Sequence, residues 1–215
     1  MFKGPVKKAV ILFSILLFPS VLYLLLSTGK HNFLVRPVYG PKEVTPHGDT
    51  LYYSIPNVQF EDCRDSRISL DDLDSNILVI VFFGTGNENL DSRINSQMLA
   101  LQDRFREKSD VKVMSISLLE GDTTLCDVEA NFNVNPEMWK VLRLTEQSAA
   151  EFAISSLFID SPDGISFVKS TIVLVDKKRR IRGYRDASQY VEVKDLADDI
   201  KILKAEEFIP RKTKK

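Results

Sequence analysis

Hydrophobic positions divide the chain into an apolar N-terminal run and a longer segment of changing periodicity. From Ala9 to Leu26 there are eighteen residues without a charge, interrupted by two serines and Pro19. Together with the next three residues, this run approaches the ~20 residues that cross a bilayer as a helix. The pattern predicts a transmembrane anchor at residues 9–29, preceded by a cytoplasmic N-terminus at residues 1–8.

The charges around this run indicate its orientation. Lys3, Lys7 and Lys8 precede it, whereas Lys30 and Arg36 follow it. This modest positive bias favours an N-terminus on the inside and the remainder of the chain on the outside. A cleaved signal peptide is the alternative, with residues 27–29 as a small-residue cleavage site, but the length of the run favours a retained anchor.

A polar segment rich in proline and glycine separates the run from the rest. Residues 30–51 contain three prolines, two glycines and both histidines of the chain, His31 and His47. This composition predicts an extended tether. Residues 52–208 then form the predicted domain, and residues 209–215 form a short basic tail.

The first half of the domain alternates between strand and helix patterns. Val58–Phe60 and Ile68–Leu70 alternate around the turn EDCRDSR and predict a β-hairpin. Ile77–Phe83 is continuously apolar, which predicts a strand buried on both faces. A helix with one apolar face and a start capped by Asp91 or Ser92 is expected next, from the positions Leu90, Ile94, Met98, Leu101 and Phe105.

A second strand, Val111–Leu118, completes a β-α-β unit and predicts a parallel pair. Further elements are then expected in this order: a helix within Asp122–Asn133, a strand at Met138–Leu144, a helix at Glu146–Ile154, strands at Ser170–Val175 and Ile181–Arg185, and a helix from Val191 to about Phe208. A hairpin, a β-α-β unit, a second hairpin and a terminal helix predict an α/β domain with a thioredoxin-like fold, a central mixed sheet flanked by helices.

Composition excludes one class of partner. Lys plus Arg number 29 and Asp plus Glu number 30, so the net charge of −1 gives no general attraction to nucleic acid. The turn Lys177–Arg180 concentrates four cations. A solvated hairpin turn is the simplest interpretation, and contact with anionic lipid or an acidic partner is the alternative.

The junction after the Ile77–Phe83 strand is where reactive groups often lie in such domains, but here it contains no sulfur. Its residues are Gly84, Thr85, Gly86, Asn87, Glu88 and Asn89. The cysteines, Cys63 and Cys126, lie elsewhere. The sequence leaves their pairing open, and two separate, non-catalytic cysteines are the simplest expectation.

The domain resembles the Sco/SenC family, the membrane-anchored thioredoxin-fold proteins of cytochrome c oxidase copper-site assembly. The resemblance covers nearly the whole chain after the anchor. It is most specific in the segment that begins with VFF and continues through the following loop and helix, and in STIVLVDKKRRIRGYRD. Segments VRPVYGP, IPNVQFEDCRDSRISLDDL and NVNPEMWKVL also carry it. It implies a single-pass protein of the bacterial inner membrane with its domain on the periplasmic side.

The family binds copper through two cysteines in a C-x-x-x-C loop and one distal histidine, since thiolates suit Cu(I). In this chain the cysteine positions correspond to Asn87 and Asp91, and the histidine position corresponds to Val168 or Lys169. Both histidines precede the domain. The resemblance therefore implies a divergent member without the family's metal site, cofactor or catalytic residues.

Two functions are compatible with these features. The first is a non-enzymatic module that binds a membrane or periplasmic protein, such as a respiratory oxidase subunit, without carrying metal. The second is a copper-handling or thiol-redox protein that uses other ligands, namely Cys63, Cys126 and His47.

Overall fold

The computed structural model describes residues 4–28, 35–46, 48–118, 125–131, 134–145, 147–159 and 170–208. The chain forms two compact units, Met1–Leu34 and Val35–Lys215. The first unit contains helix α1, Gly4–Thr28, which includes Pro19. Its large apolar side chains are exposed, among them Phe13, Leu16 and Phe18. Among the described residues, no helix meets the length and apolarity needed to span a membrane.

The second unit is an α/β domain built on two sheets. Its elements are β1 Lys42–Val44, β2 Thr50–Tyr52, β3 Gln59–Glu61, β4 Arg67–Ser69, a 3-10 turn Leu70–Leu73, β5 Ile77–Phe83, α2 Glu88–Phe105, β6 Val111–Ser117, α3 Leu125–Asn131, β7 Trp139–Leu144, α4 Ala149–Ser155, β8 Thr171–Val175, β9 Ile181–Asp186 and α5 Tyr190–Glu206. Strands β1 and β2 form a separate hairpin, and the others form a seven-stranded sheet in the order β4-β3-β7-β6-β5-β8-β9.

The predicted strand pairings are confirmed. Strand β3 pairs antiparallel with β4, β5 pairs parallel with β6, and β8 pairs antiparallel with β9. Strand β7 lies parallel to β6 and antiparallel to β3, which makes the sheet mixed. The fold is therefore the thioredoxin-like arrangement that the order of elements predicted.

Strand β5 lies at the centre of the sheet, and all seven of its residues are buried. Successive side chains on a strand point to opposite faces. The odd-numbered residues from Ile77 to Phe83 pack in one core with α2 and α5. The even-numbered ones, from Leu78 to Phe82, pack in a second core with α4. The side chains of this one apolar strand thus contribute to both hydrophobic cores of the domain.

Helix α4 begins later than the sequence pattern indicated. Helix α4 begins at Ala149 because the Ser148 side chain accepts a hydrogen bond from the Glu151 amide at 3.1 Å and caps the first turn. Helix α3 occupies Leu125–Asn131, inside the predicted 122–133 range. The flanks of that range, residues 122–124 and 132–133, lie outside the described residues.

Arg182 joins the start of the second unit to strand β9 and helix α5. Its side chain is 4% exposed and donates hydrogen bonds to the Arg36 carbonyl at 2.7 Å and the Pro37 carbonyl at 3.1 Å. It also pairs with Asp176 at 3.0 Å and Glu206 at 2.6 Å. Residues of the predicted tether therefore contribute backbone contacts to the folded unit.

Replacing Phe82 with alanine tests the dependence of the domain on its two-sided central strand. Phe82 is fully buried, so Phe82→Ala should lower the free energy of unfolding by about 3–5 kcal/mol. Fluorescence of Trp139, which is also fully buried, reports unfolding in urea. Phe208 is 85% exposed and is the matched control, because Phe208→Ala should change stability by no more than about 0.5 kcal/mol. Equal effects of the two substitutions would contradict this account.

Candidate functional site

The loop between β5 and α2 makes a sharp turn through two glycines. Gly84 and Gly86 have φ values of 74° and 75°, in the left-handed region where a side chain is strained. These two positions allow the chain to turn between β5 and helix α2, which begins at Glu88. This places residues 85–91 at the end of the central strand, where the sequence analysis located the candidate site.

Asn87 caps helix α2. Its side-chain oxygen accepts a hydrogen bond from the Leu90 amide at 3.2 Å, and its own amide donates to the Thr85 hydroxyl at 3.1 Å. The predicted cap at Asp91 or Ser92 is wrong, because the helix begins at Glu88, before the first apolar position of its buried face. An Asn side chain at this position satisfies an amide that the helix itself leaves without a partner.

Asp91 binds the loop from inside the first turn of the helix. Its two carboxylate oxygens lie 3.1 and 3.3 Å from the Thr85 amide nitrogen, which donates to them. Thr85 is 4% exposed, so this contact fixes a buried point of the loop. A carboxylate in the first turn also interacts favourably with the helix dipole. Asn87 and Asp91 are therefore both used in holding the loop's own backbone.

These loop contacts provide oxygen donors but no cluster suited to a metal ion. Within the described ranges, no group of three or more His, Cys, Asp or Glu side chains is placed to hold one. The other candidate positions, Val168, Lys169, His31 and His47, lie outside the described residues. The structure thus brings together Asn87, Asp91 and Thr85, and sequence analysis assigned no role to Thr85.

Cys63 and Cys126 form a disulfide, which corrects the expectation of two separate cysteines. Their Cα atoms are 5.1 Å apart although 63 positions separate them in the sequence. The physical reason is the fold: Cys63 lies in the turn between β3 and β4, and that turn packs beside helix α3, which carries Cys126. This proximity depends on a long-range contact that residue spacing does not encode.

The disulfide lies at the surface, beside an ion pair. Cys126 is exposed and Cys63 is half-buried. Arg64 pairs with Glu129 at 3.1 Å, and the Glu129 carboxylate lies 3.6 Å from the Cys63 sulfur. The bridge joins the hairpin turn to α3, so it is separate from the Asn87–Asp91 loop contacts in its residues and its chemistry.

Comparison with solved structures identifies the fold. BsSco, a member of the Sco family of cytochrome c oxidase assembly proteins, superposes with a TM-score of 0.60 and 22% identity, covering 71% of this chain and 94% of its own. A SCO1/SenC family lipoprotein from Bacillus anthracis gives a TM-score of 0.58 and 19% identity, over 71% of this chain and 95% of its own. The fold is that of Sco/SenC proteins.

The Sco-like fold is also shared with a thiol-disulfide oxidoreductase. The thioredoxin domain of such an enzyme from Bacteroides vulgatus gives a TM-score of 0.51 at 15% identity, covering 74% of this chain and 96% of its own. No protein-family model and no curated protein matches the chain. At these identities the likeness establishes a common fold and leaves activity to be inferred from the site itself.

Substitution of Asn87 tests whether the loop is held by the cap. Asn87→Ala removes the acceptor for the Leu90 amide and should lower the free energy of unfolding by about 1 kcal/mol. Asn87→Ser keeps a capping oxygen and should retain most of the stability. Urea unfolding followed by Trp139 fluorescence measures both variants. The cap would have no stabilising role if Asn87→Ala matched the parent protein.

Proposed function

We propose that the chain is a membrane-anchored Sco-like module that binds a protein partner and carries no copper at the family's metal position. The observation that supports this function is the use of Asn87 and Asp91 as hydrogen-bond acceptors within their own loop. Cu(I) prefers thiolate and imidazole ligands over amide and carboxylate oxygens. A metal bound here would also compete for those oxygens with the amides of Thr85 and Leu90.

The process that we propose is assembly of a respiratory oxidase. It rests on the resemblance of the sequence to the Sco/SenC family and on the fold shared with BsSco, which is described as a cytochrome c oxidase assembly protein. A fold of this kind offers a rigid frame for protein contacts even where the reactive loop is a structural turn. We assign the chain no catalytic step.

The proposed anchor is the apolar run of helix α1. Its uncharged sequence and the exposure of Phe13, Leu16 and Phe18 support burial in lipid, because exposed apolar side chains along a helix are stabilised there. The positive charges at its start favour placement of the second unit on the outer side of a bacterial inner membrane. Single-pass anchoring at residues 9–29 belongs to this proposal.

A Cu(I) titration tests the metal-free assignment. The disulfide-bonded protein should hold no copper against a chromophoric Cu(I) chelator, under anaerobic conditions. The double variant Asn87→Cys plus Asp91→Cys restores the family's two thiols and should compete with the chelator, which makes it the positive control. One tightly held copper per chain in the parent protein, lost when Asn87 and Asp91 are both changed to alanine, would contradict the proposed function.

A thiol-redox function is the second candidate, and the exposed disulfide favours it. A dithiol donor would attack one sulfur of the Cys63–Cys126 bridge, form a mixed disulfide and leave as its own disulfide, so that two electrons and two protons reach the protein. The exposure of Cys126 makes the bridge accessible to such a donor. The two resulting thiols would also be soft donors suited to Cu(I).

Removing the bridge separates the two candidates. As a structural cross-link over 63 positions, it should contribute about 4 kcal/mol by the loop-entropy relation, with 2–5 kcal/mol typical of native disulfides. Cys63→Ser plus Cys126→Ser should therefore lower stability but leave unchanged the set of proteins cross-linked to the chain in its native membrane. If the double variant loses those cross-links at a temperature where it remains folded, the result favours the thiol-redox function and contradicts the proposed one.

A further inference from the structure

The hairpin of β1 and β2 stands apart from the main sheet with all six strand residues exposed. Its register pairs Lys42 with Tyr52 and Val44 with Thr50. Residues directly opposite each other on antiparallel strands share a face. One face of the hairpin therefore carries Lys42, Val44, Thr50 and Tyr52.

Two cations from the β8–β9 turn lie beside this face. The first is Arg180, whose guanidinium carbon is 5.8 Å from the Tyr52 ring centroid. Lys42, on the face itself, places its ammonium 5.6 Å from the same centroid. Lys178 is exposed and lines an open cavity of about 500 Å3 with Thr50, Tyr52 and Arg180. We call these six residues the basic hairpin face: Lys42, Val44, Thr50, Tyr52, Lys178 and Arg180.

The charge of this face is positive but limited. Asp176 accepts hydrogen bonds from Arg180 at 2.7 and 2.9 Å, which fix the position of Arg180, and shares its negative charge between Arg180 and Arg182. Burial raises the pKa of Asp176, but the hydrogen bonds from Arg180 outweigh it and lower that pKa, so Asp176 remains ionised at neutral pH. Glu43 lies on the opposite face, opposite Leu51. Lys42 and Lys178 are thus the cations that remain available.

The apolar part of the face is exposed, although the Tyr52 ring contacts Lys42 and Arg180. Val44 is 75% exposed and Tyr52 is 36% exposed. Together they are too small for a stable protein interface, which needs a larger buried area. A tyrosine beside lysines and an exposed aliphatic side chain is instead typical of residues at a membrane–water interface.

We propose that the basic hairpin face binds the headgroup region of anionic phospholipid. Lys178 and the Thr50 hydroxyl would contact the phosphodiester in the cavity, and Lys42 would contact a neighbouring headgroup. Val44 and Tyr52 would enter the interfacial layer. Charge complementarity favours an anionic lipid surface over a zwitterionic one.

The modest strength of this contact is compatible with an anchored protein. Each cation close to an anionic surface strengthens binding about five-fold, so Lys42 and Lys178 together contribute about thirty-fold. That is weak for a protein free in solution, but an anchor raises the effective concentration of lipid at the hairpin. Lys42 follows Thr28, the last residue of helix α1, by fourteen positions. The inference therefore rests on the proposed membrane anchor.

The test places the full chain in lipid nanodiscs with a fluorophore on the hairpin. The native cysteines are joined, so Val44→Cys provides one labelling position. An environment-sensitive dye there should shift to shorter wavelength in discs containing phosphatidylglycerol and not in discs of phosphatidylcholine. Lys42→Ala plus Lys178→Ala should move the docked–undocked equilibrium about thirty-fold toward undocked and abolish the shift.

Matched controls separate charge at the face from net charge. Lys108 and Lys194 are exposed lysines outside the basic hairpin face, so Lys108→Ala plus Lys194→Ala should leave the shift intact. A dye at Glu43→Cys, on the opposite face, should shift less. High salt should reduce the shift because it screens exposed charges.

Several results would overturn the proposal. A shift that is equal in both lipids, or that survives loss of Lys42 and Lys178, contradicts recognition of anionic headgroups. The same shift with inorganic phosphate in detergent assigns the face to a free anion. A lysine-dependent shift only in protein-containing native membranes assigns it to an acidic protein. Retention in discs without any shift rejects the lipid contact alone, whereas failure of the chain to remain in discs rejects the anchor and the contact together.

Discussion

Burial of strand β5 on both faces is the constraint on which the rest of the domain depends. Its side chains alternate between a core with α2 and α5 and a second core with α4, so neither layer of helices packs without it. The strand also pairs with β6 on one edge and β8 on the other. Both faces of β5 are packed and both of its edges are paired. The loop that follows Phe83 therefore begins from a rigid point.

That rigid point explains the character of the candidate site. Two glycines turn the chain, Asn87 caps the helix and Asp91 holds the buried Thr85, so the loop is determined by its own hydrogen bonds. In a Sco-like fold the same junction suits a metal loop because strand and helix place two side chains together. Here the same geometry stabilises a turn, and the chemistry that we propose is recognition of a partner.

The sequence was sufficient for the strands of the seven-stranded sheet because their signals are local, whereas the β1–β2 hairpin lies largely in the predicted extended tether and was missed. The apolar run Ile77–Phe83 and the alternation around Cys63 specify strands without knowledge of the rest of the chain. The disulfide was not predictable, since it depends on how the β3–β4 turn packs against α3. The cap was misplaced because several polar residues near the helix start compete for that role. Thr85 was missed because a small residue between glycines gives no signal until its amide is seen to need an acceptor.

The Cys63–Cys126 disulfide, the β5–α2 loop and the basic hairpin face lie on different elements. Arg182 connects the start of the second unit to β9 and α5 through the carbonyls of Arg36 and Pro37 and the Glu206 carboxylate. This link makes the start of the second unit part of its rigid frame.

The most direct test of the metal-free assignment is the response of the loop itself to copper. Amide resonances of Thr85 and Leu90 report the two hydrogen bonds to the oxygens that a metal at Asn87 and Asp91 would also need. The account predicts that both resonances remain unchanged during a Cu(I) titration of the disulfide-bonded protein, measured by NMR in membrane-mimetic discs. Saturable shifts of both amides at one copper per chain would contradict it.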